Sequence, residues 1–482
     1  MPASLLIRFR WVFVAGLLGA TVASAAETVA PISLHPENGR YFLWRGQPTV
    51  LITSGEHYGA LLNLDFDFER YFAALAADGL NHTRTFSGAY RESPKSFGIT
   101  DNTLAPKPDR FACPWPRSDQ PGSVDGGNKF DLSRFDDAYF ARLHQFMAAA
   151  QRHGIVVEMN LFCPLYEDVL WDISPMHIRN NINGVGDCPR TEVYTLKHPA
   201  LTAVQEALTR KIVTELNRYD NLYYEVCNEP YFGGVTLAWQ HRIADVIAET
   251  EKALGVRHLI SQNVANDKAK VENPHPAVSI FNFHYAYPPD TVAMNYGLNK
   301  IIGDNETGFR GTNDLPYRVE AWSFLLAGGG LFNHLDYSFV AGHEDGTFVY
   351  PASQPGGGNP VFRRQMKILG DFLRGFDFIR MKPAADVIAG GVPAGHRAYA
   401  LAEPGKACAL YLARDTKDKN APTGPQAATL QLHLPAGAYT AEWVNPRTGQ
   451  VDKRESIRAA GDITPLASPA FEEDVALRLR RS

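Results

Sequence analysis

The stretch NLYYEVCNEPY, Asn221 to Tyr231, decides how this chain is read. It opens as an apolar, β-rich run and closes on Asn228, Glu229 and Pro230. Proline has no amide hydrogen to give a sheet ladder, so the strand has to finish about there. An amide and a carboxylate then stand at the strand's carboxyl end. In many α/β folds that end carries the chemistry.

Working outward, the helical pattern TAVQEALTRKIVTELNRY precedes this strand, and a helix around Trp239 to Leu254 follows it, before HLISQN. The alternation extends in both directions. TVLITSG, LNHTRTFS and IVVEMNLF are earlier strands; VSIFNFHYAYPP, NKIIGDNETG and GLFNHLDYSF are later ones. DFDFERYFAALAADG and SRFDDAYFARLHQFMAAAQRHG are helices that end at glycine. Eight strands, most of them separated by helices, with no dinucleotide-binding glycine fingerprint after the first, predict an α/β fold: a (β/α)8 TIM barrel. A doubly wound sheet is the alternative. Such barrels usually need ~250 residues before insertions. The surplus here falls at residues 88–134 and 164–200, both rich in Pro, Gly and Asp and both on the carboxyl face. Before the first strand, ISLHPENGRYFLWRGQP reads as a β-hairpin. Past Pro383, HRAYALAEPG, ACALYLARD, ATLQLHLPAG, AYTAEWVNPRTG and DVALRLRR are short alternating strands with no helical period, which predict a small C-terminal all-β sandwich. The expected boundaries are 1–25 for an export signal, 26–382 for the barrel with its hairpin, and 383–482 for the sandwich.

Composition narrows the class. The chain has 482 residues, is 45% hydrophobic and 21% charged, and carries a formal charge of −5. That is a globular protein with a sizeable core, and it offers no basic footprint for nucleic acid. Arg8 and Arg10 precede the apolar run WVFVAGLLGATV, and Ala23-Ser24-Ala25 is a small-residue cleavage site. A secreted or periplasmic protein cut after Ala25, without a membrane anchor, is the expectation. Among five cysteines, one pair of Cys113, Cys163 and Cys188 is a candidate disulfide, while Cys227 and Cys408 read as small buried hydrophobes. No His/Asp cluster or cysteine spacing suggests a metal site, and no cofactor is expected. Oligomeric state is not legible.

If Glu229 tops the fourth barrel strand, Glu306 in IIGDNETG tops the seventh in the same way. Those strands face each other across a barrel mouth. Two opposed carboxylates are what cleavage of a glycosidic bond requires: one protonates the leaving oxygen, and the other attacks the anomeric carbon or activates water.

Asn-Glu-Pro at the fourth strand and a glutamate ending the seventh resemble clan A glycoside hydrolases, the set that includes family five cellulases and mannanases. The resemblance spans most of residues 35–380. It implies a retaining double displacement with Glu229 as acid/base and Glu306 as nucleophile. It also implies that Asn228 binds the sugar 2-hydroxyl and that Arg84, in NHTRTFS, lies beside the nucleophile. A cation there keeps Glu306 ionised. On the sixth strand the family has a histidine and, two positions on, a tyrosine. Here FHYAYPP gives His284 but Ala286, leaving Tyr285 or Tyr287 to serve. The eighth strand usually offers a tryptophan, whereas LFNHLDYSF offers Asn333, His334, Asp336 and Tyr337. The C-terminal segment resembles the small β-domain of apiosidase-like and cellulase-like proteins.

Further candidates come with structural alternatives. His57 and Tyr58, after the first strand, either bind sugar hydroxyls or pack as a pair. Trp115 and Trp171, one in each insertion, are either sugar platforms or anchors for their loops. Glu225 reads as a hydrogen-bonded acid of the barrel interior. Asp304 is a second sugar ligand or a loop support. The substrate these residues imply is a polysaccharide or oligosaccharide, and the acidic charge of the chain points to a neutral one. The competing function is a barrel without activity that binds carbohydrate; a Schiff-base lyase lacks a strand-borne lysine.

Overall fold

The computed structural model describes residue 1 and residues 30–482, so the expected export signal lies outside the described residues. Eight parallel strands form the barrel: Leu51–Gly55, His82–Phe86, Val156–Phe162, Leu222–Cys227, Leu259–Asn266, Val278–His284, Ile301–Glu306 and Leu331–Leu335. From the second to the eighth each pairs with the next, and the eighth pairs with the first, while the first and second strands share no ladder. The first and second strands are joined by a side chain instead. Asn81 Oδ1 accepts from the Ile52 amide at 2.9 Å, while the Asn81 amide approaches the Ile52 carbonyl at 3.4 Å.

The amino-terminal end of the barrel is plugged. A small antiparallel sheet of Ser33–Leu34, Phe42–Trp44 and Gln47–Thr49 lies there. Its Phe42, with Ile32, packs on the residues that open the strands, among them Leu51, Val156, Ile280, Ile301 and Leu331. Above this apolar floor the interior turns polar. Glu225 accepts from Ser261 at 3.1 Å and from Asn282 and Asn305 at 2.8 Å each, and Tyr223 donates to Glu158 at 2.8 Å. Arg84 is ion-paired with Glu225 inside the same layer. Burial, with Glu158 close by, pushes the Glu225 carboxyl up to about 7 against the pull of Arg84 and Asn282. Glu225 is thus an interior acid, hydrogen-bonded on all sides.

The C-terminal residues fold as two antiparallel sheets, one of six strands and one of three, closing over Leu410, Leu430, Leu432, Trp443 and Leu477. The sandwich docks on the barrel helix Asp314–Leu326. Arg318 of that helix donates to Asp474 at 2.7 Å and Glu473 at 2.8 Å, and Trp322 stacks on Tyr411 with ring centres 5.2 Å apart. Tyr287, a candidate for the sugar site, belongs to this seam instead. Its hydroxyl donates to Asp415 at 3.2 Å, because the chain turns outward after Tyr285.

The two insertions pack into the same hydrophobic core as the barrel, and that decides the fate of their tryptophans. Trp115 is 1% exposed within the first. Trp171 is buried in the second and donates its indole N–H to the Cys188 carbonyl at 2.8 Å. Both hold their insertions together, and neither lines the cavity described below. All five cysteines are free thiols, so the candidate disulfide does not form. Cys163 instead meets the Asn228 amide at 3.6 Å and the Tyr166 hydroxyl at 3.7 Å.

Candidate active site at the carboxyl end of the barrel

Glu229 and Glu306 meet over the open end of the barrel. One carboxylate oxygen of each, with a ring nitrogen of His284, lies within 4.8 Å of the others. Two backbone irregularities bring this about. In the seventh strand Phe283 pairs with Asp304 but His284 pairs with Glu306, so Asn305 is an extra residue in the ladder. That bulge lets Asn305 bond inward to the barrel core while its neighbour Glu306 also turns to the cavity. Glu229 itself sits at φ 32°, in the left-handed region that side chains avoid. Tyr58 at φ 61°, Phe97 at φ 56° and Tyr285 at φ 55° do the same around it. Nine non-glycine residues among those described have positive φ, and these four surround one cavity. Such strain clusters where a site is held in a defined geometry.

Glu306 is held by four partners. Tyr58 donates to Oε2 at 2.9 Å and Arg84 to the same oxygen at 3.3 Å; Tyr285 donates to Oε1 at 2.9 Å, and His284 Nδ1 stands 3.4 Å from it. Burial opposes ionisation, but His284 and Arg84 outweigh it, and the carboxyl is held far below the usual carboxylate range. His284, fully buried, loses hydration and yet is raised to about 10 by its two glutamate neighbours. It is therefore a cation at neutral pH. Glu229, His284 and Glu306 converge closely enough to hold a metal ion, but the Arg84 guanidinium, 3.3 Å from Glu306, brings a positive charge that disfavours one there.

Glu229 has a different surround. Tyr166 donates to Oε2 at 2.6 Å, Tyr231 donates to Oε1 at 3.2 Å, and His284 Nδ1 is 3.2 Å from the same oxygen. Asn228 accepts from Arg84 at 2.6 Å and donates to the Tyr166 hydroxyl at 2.8 Å. A continuous chain therefore runs from Arg84 through Asn228 and Tyr166 to Glu229.

The cavity in front of these groups has a volume of about 270 Å³. His57 and Glu92 form part of its wall, with His57 Nε2 3.4 Å from Glu92 Oε2. That is ion-pair distance without hydrogen-bond alignment, and both His57 ring nitrogens stay without a partner. Burial lowers the His57 pKa, but the Glu92 carboxylate more than compensates and the net shift is upward.

Asp336 does not reach the cavity. It accepts from Ser54 at 3.0 Å and Arg363 at 2.8 Å, a buried pair under the eighth strand's loop. Asp304 faces outward to Glu320 on the adjoining helix, and burial beside that second acid raises its carboxyl strongly. It does not line the cavity, and neither of its carboxylate oxygens has a hydrogen-bond partner among the described residues. Tyr166, Glu92 and Phe97 line the cavity, and sequence reasoning passed over them. All three lie in the insertions, where no periodicity marks a position. The signal available was weak: an aromatic or acidic residue a few positions beyond a strand end.

The fold and the site together define a class: a (β/α)8 barrel with a C-terminal β-domain and an acidic pair at the barrel mouth. No family model matches the chain, and no curated protein matches it. Solved structures do. A candidate glycoside hydrolase from Bacteroides vulgatus ATCC 8482 superposes with a TM-score of 0.65 at 13% identity, covering 95% of this chain and 84% of its own. A glycoside hydrolase family 5 structure from the same organism has a TM-score of 0.59 at 15% identity, covering 94% and 93%. A further structure described as a glycoside hydrolase gives 0.62 at 14%, covering 94% and 97%. At these identities the likeness is one of fold, and it extends over barrel and β-domain together.

Proposed function

We propose that this protein is an exported retaining glycoside hydrolase that cleaves β-glycosidic bonds of a neutral carbohydrate, with Glu306 as nucleophile and Glu229 as acid/base. The observation that carries this reading is the approach of the Glu229 and Glu306 carboxylates to within 4.8 Å. Retaining enzymes hold their two carboxyl groups about 5–5.5 Å apart, whereas inverting ones leave about 6.5–9.5 Å for a water. The surroundings suit the two roles. Glu306, kept ionised by His284 and Arg84, attacks the anomeric carbon while Glu229 gives its proton to the leaving oxygen. In the second step Glu229 takes a proton from water, whose oxygen bonds to the anomeric carbon as the Glu306 ester breaks. Asn228, fixed by Arg84 and Tyr166, is placed to bind a hydroxyl of the sugar held above Glu306.

The test uses activated aryl β-glycosides. Glu306→Ala is expected to abolish turnover, and Glu229→Ala is expected to cripple it but to regain activity with azide, an anion that attacks the glycosyl-enzyme without needing a base to take its proton. NMR of the first-formed sugar should show the β-anomer. Wild-type rates in both variants, or an α-anomer, would overturn the assignment. Export is tested separately: mass spectrometry of the secreted protein should give a chain starting at Ala26, and a chain keeping Met1 would remove that part of the reading.

A further inference from the structure

Beside Glu229 an apolar patch opens to solvent: Phe97 and Phe309 line the cavity, and Phe232 packs against the cavity residue Tyr166. Phe97, Phe232 and Phe309 are 42%, 44% and 38% exposed. They are also neighbours. Phe97 meets Phe309 edge-on at 6.4 Å and Tyr166 at 5.3 Å, and Phe232 meets Tyr166 at 5.9 Å. Single exposed apolar side chains are ordinary on a protein surface, but a contiguous group of them marks a binding site. These three come from three separate segments: the first insertion, the loop after the fourth strand and the loop after the seventh. Phe97 is held at φ 56°, a backbone conformation unfavourable for a bulky residue, while its ring faces solvent.

The position of this arc says which part of a substrate it would meet. Tyr166, against which Phe97 and Phe232 pack, is the residue that donates to Glu229. The proton donor defines the leaving-group side of a glycosidase, so the arc lies where the leaving group sits. His57, with its unpartnered ring nitrogens, and Glu92 line the same cavity and suit the hydroxyls of the sugar. A second sugar in the leaving-group position would need hydrogen-bonding partners there. Asn266 lines the cavity and its Oδ1 accepts from Tyr231 at 2.5 Å, which leaves its Nδ2 amide to set against three exposed phenyl rings.

We infer that the substrates are glycosides of an apolar alcohol, a single sugar carrying an aryl or alicyclic aglycone, with the aglycone lying across Phe97, Phe232 and Phe309. This rests on the glycosidase reading above and adds to it the chemical class of the leaving group.

The experiment compares methyl, octyl and 2-phenylethyl β-glycosides of one sugar with the β-1,4-disaccharide of that sugar, across a panel of gluco-, manno-, galacto- and xylo-configured substrates. The alcohols are similar leaving groups, so differences in kcat/KM read contacts beyond the scissile oxygen. The 2-phenylethyl glycoside should exceed the methyl glycoside by about 10- to 100-fold, the factor that burial of one phenyl ring supplies. That ratio should collapse towards one in Phe97→Ser/Phe232→Ser/Phe309→Ser. A disaccharide cleaved faster than the phenylethyl glycoside, or an unchanged ratio in the triple variant, overturns the inference and leaves the glycosidase standing. Calorimetric binding of the 2-phenylethyl β-thioglycosides, which resist hydrolysis, separates the two readings. Binding that depends on the three phenylalanines, with no hydrolysis of any substrate, would sink the glycosidase and keep the apolar site. Neither binding nor hydrolysis would sink both.

Discussion

The hydroxyl of Tyr166 donates to Oε2 of Glu229 at 2.6 Å and accepts from Asn228 at 2.8 Å. A residue of the second insertion thereby fixes the carboxyl of a residue on the fourth strand. The bond orients Glu229 without touching the anomeric carbon, so its loss should matter most when the leaving group needs a proton. Tyr166→Phe is expected to lower kcat about 10-fold on alkyl glycosides and little on 2,4-dinitrophenyl glycosides, in line with the modest energy of one charge-assisted hydrogen bond. An equal loss on both would assign Tyr166 to general packing. Kinetics over a series of leaving groups distinguishes these outcomes.

His284 supports a pH prediction. Its imidazolium, raised to about 10, lies 3.4 Å from Glu306 and holds that carboxylate ionised to acid pH. The acid limb of kcat/KM reports the free enzyme's nucleophile. His284→Gln removes the cation and leaves burial, which favours the neutral acid, opposed by Arg84 and the Tyr285 hydroxyl. The acid limb should move up by about one pH unit or more. A profile that falls in height but keeps its acid limb would mean that His284 positions Glu306 without setting its charge.

Much of this arrangement is legible in the chain. The strands are visible because parallel barrel strands are buried on both faces and read as unbroken apolar runs. The Asn228-Glu229-Pro230 ending and the glutamate of IIGDNETG are visible because a strand's last residues are fixed by where the run stops. What strand pattern cannot carry is direction after the strand ends. Whether Tyr285 or Tyr287 faces the cavity depends on the φ of 55° at Tyr285, which keeps its hydroxyl on Glu306 and sends Tyr287 to the sandwich. Trp115 and Trp171 illustrate the other limit. A tryptophan in a long insertion is drawn into the core where the insertion packs on the barrel, and then does not line the cavity. Glu92 and Phe97 reach the cavity from the same insertion, and nothing in their local sequence distinguishes them from its other residues.

Glu225 gives a second pH prediction, in stability. Its carboxyl is raised to about 7 from an ordinary 4.5, so the folded state prefers the protonated form. Below pH 4.5 folded and unfolded chains both hold the proton. Between about 4.5 and about 7 only the unfolded chain releases it, and this group's contribution to stability falls as pH rises. A glutamine at 225 cannot titrate. The stability of Glu225→Gln relative to wild type should therefore improve by about 3 kcal/mol between pH 4 and pH 8, whatever constant offset the lost Arg84 pairing adds. Urea unfolding midpoints at the two pH values measure it. A flat difference would show that Glu225 is ionised throughout.

Arg318 tests whether barrel and sandwich form one cooperative unit. Its guanidinium, 2% exposed, is met by Asp474 at 2.7 Å and Glu473 at 2.8 Å from the last sandwich strand and the loop before it. Gln365 of the neighbouring barrel helix accepts from it as well, at 3.0 Å. Removing one partner of a buried pair leaves the other charge without compensation, at a cost of about 3–5 kcal/mol. Asp474 is then left with the Tyr411 hydroxyl, which donates to it at 2.7 Å, and without its cation. Arg318→Ala should lower the thermal midpoint of the whole chain in a single transition if the seam couples the two folds. Two separated transitions in calorimetry, with the barrel's midpoint unchanged, would show that the sandwich melts alone. Arg318→Met/Asp474→Leu should then recover part of the loss, because an apolar seam of similar volume has no charge to strand.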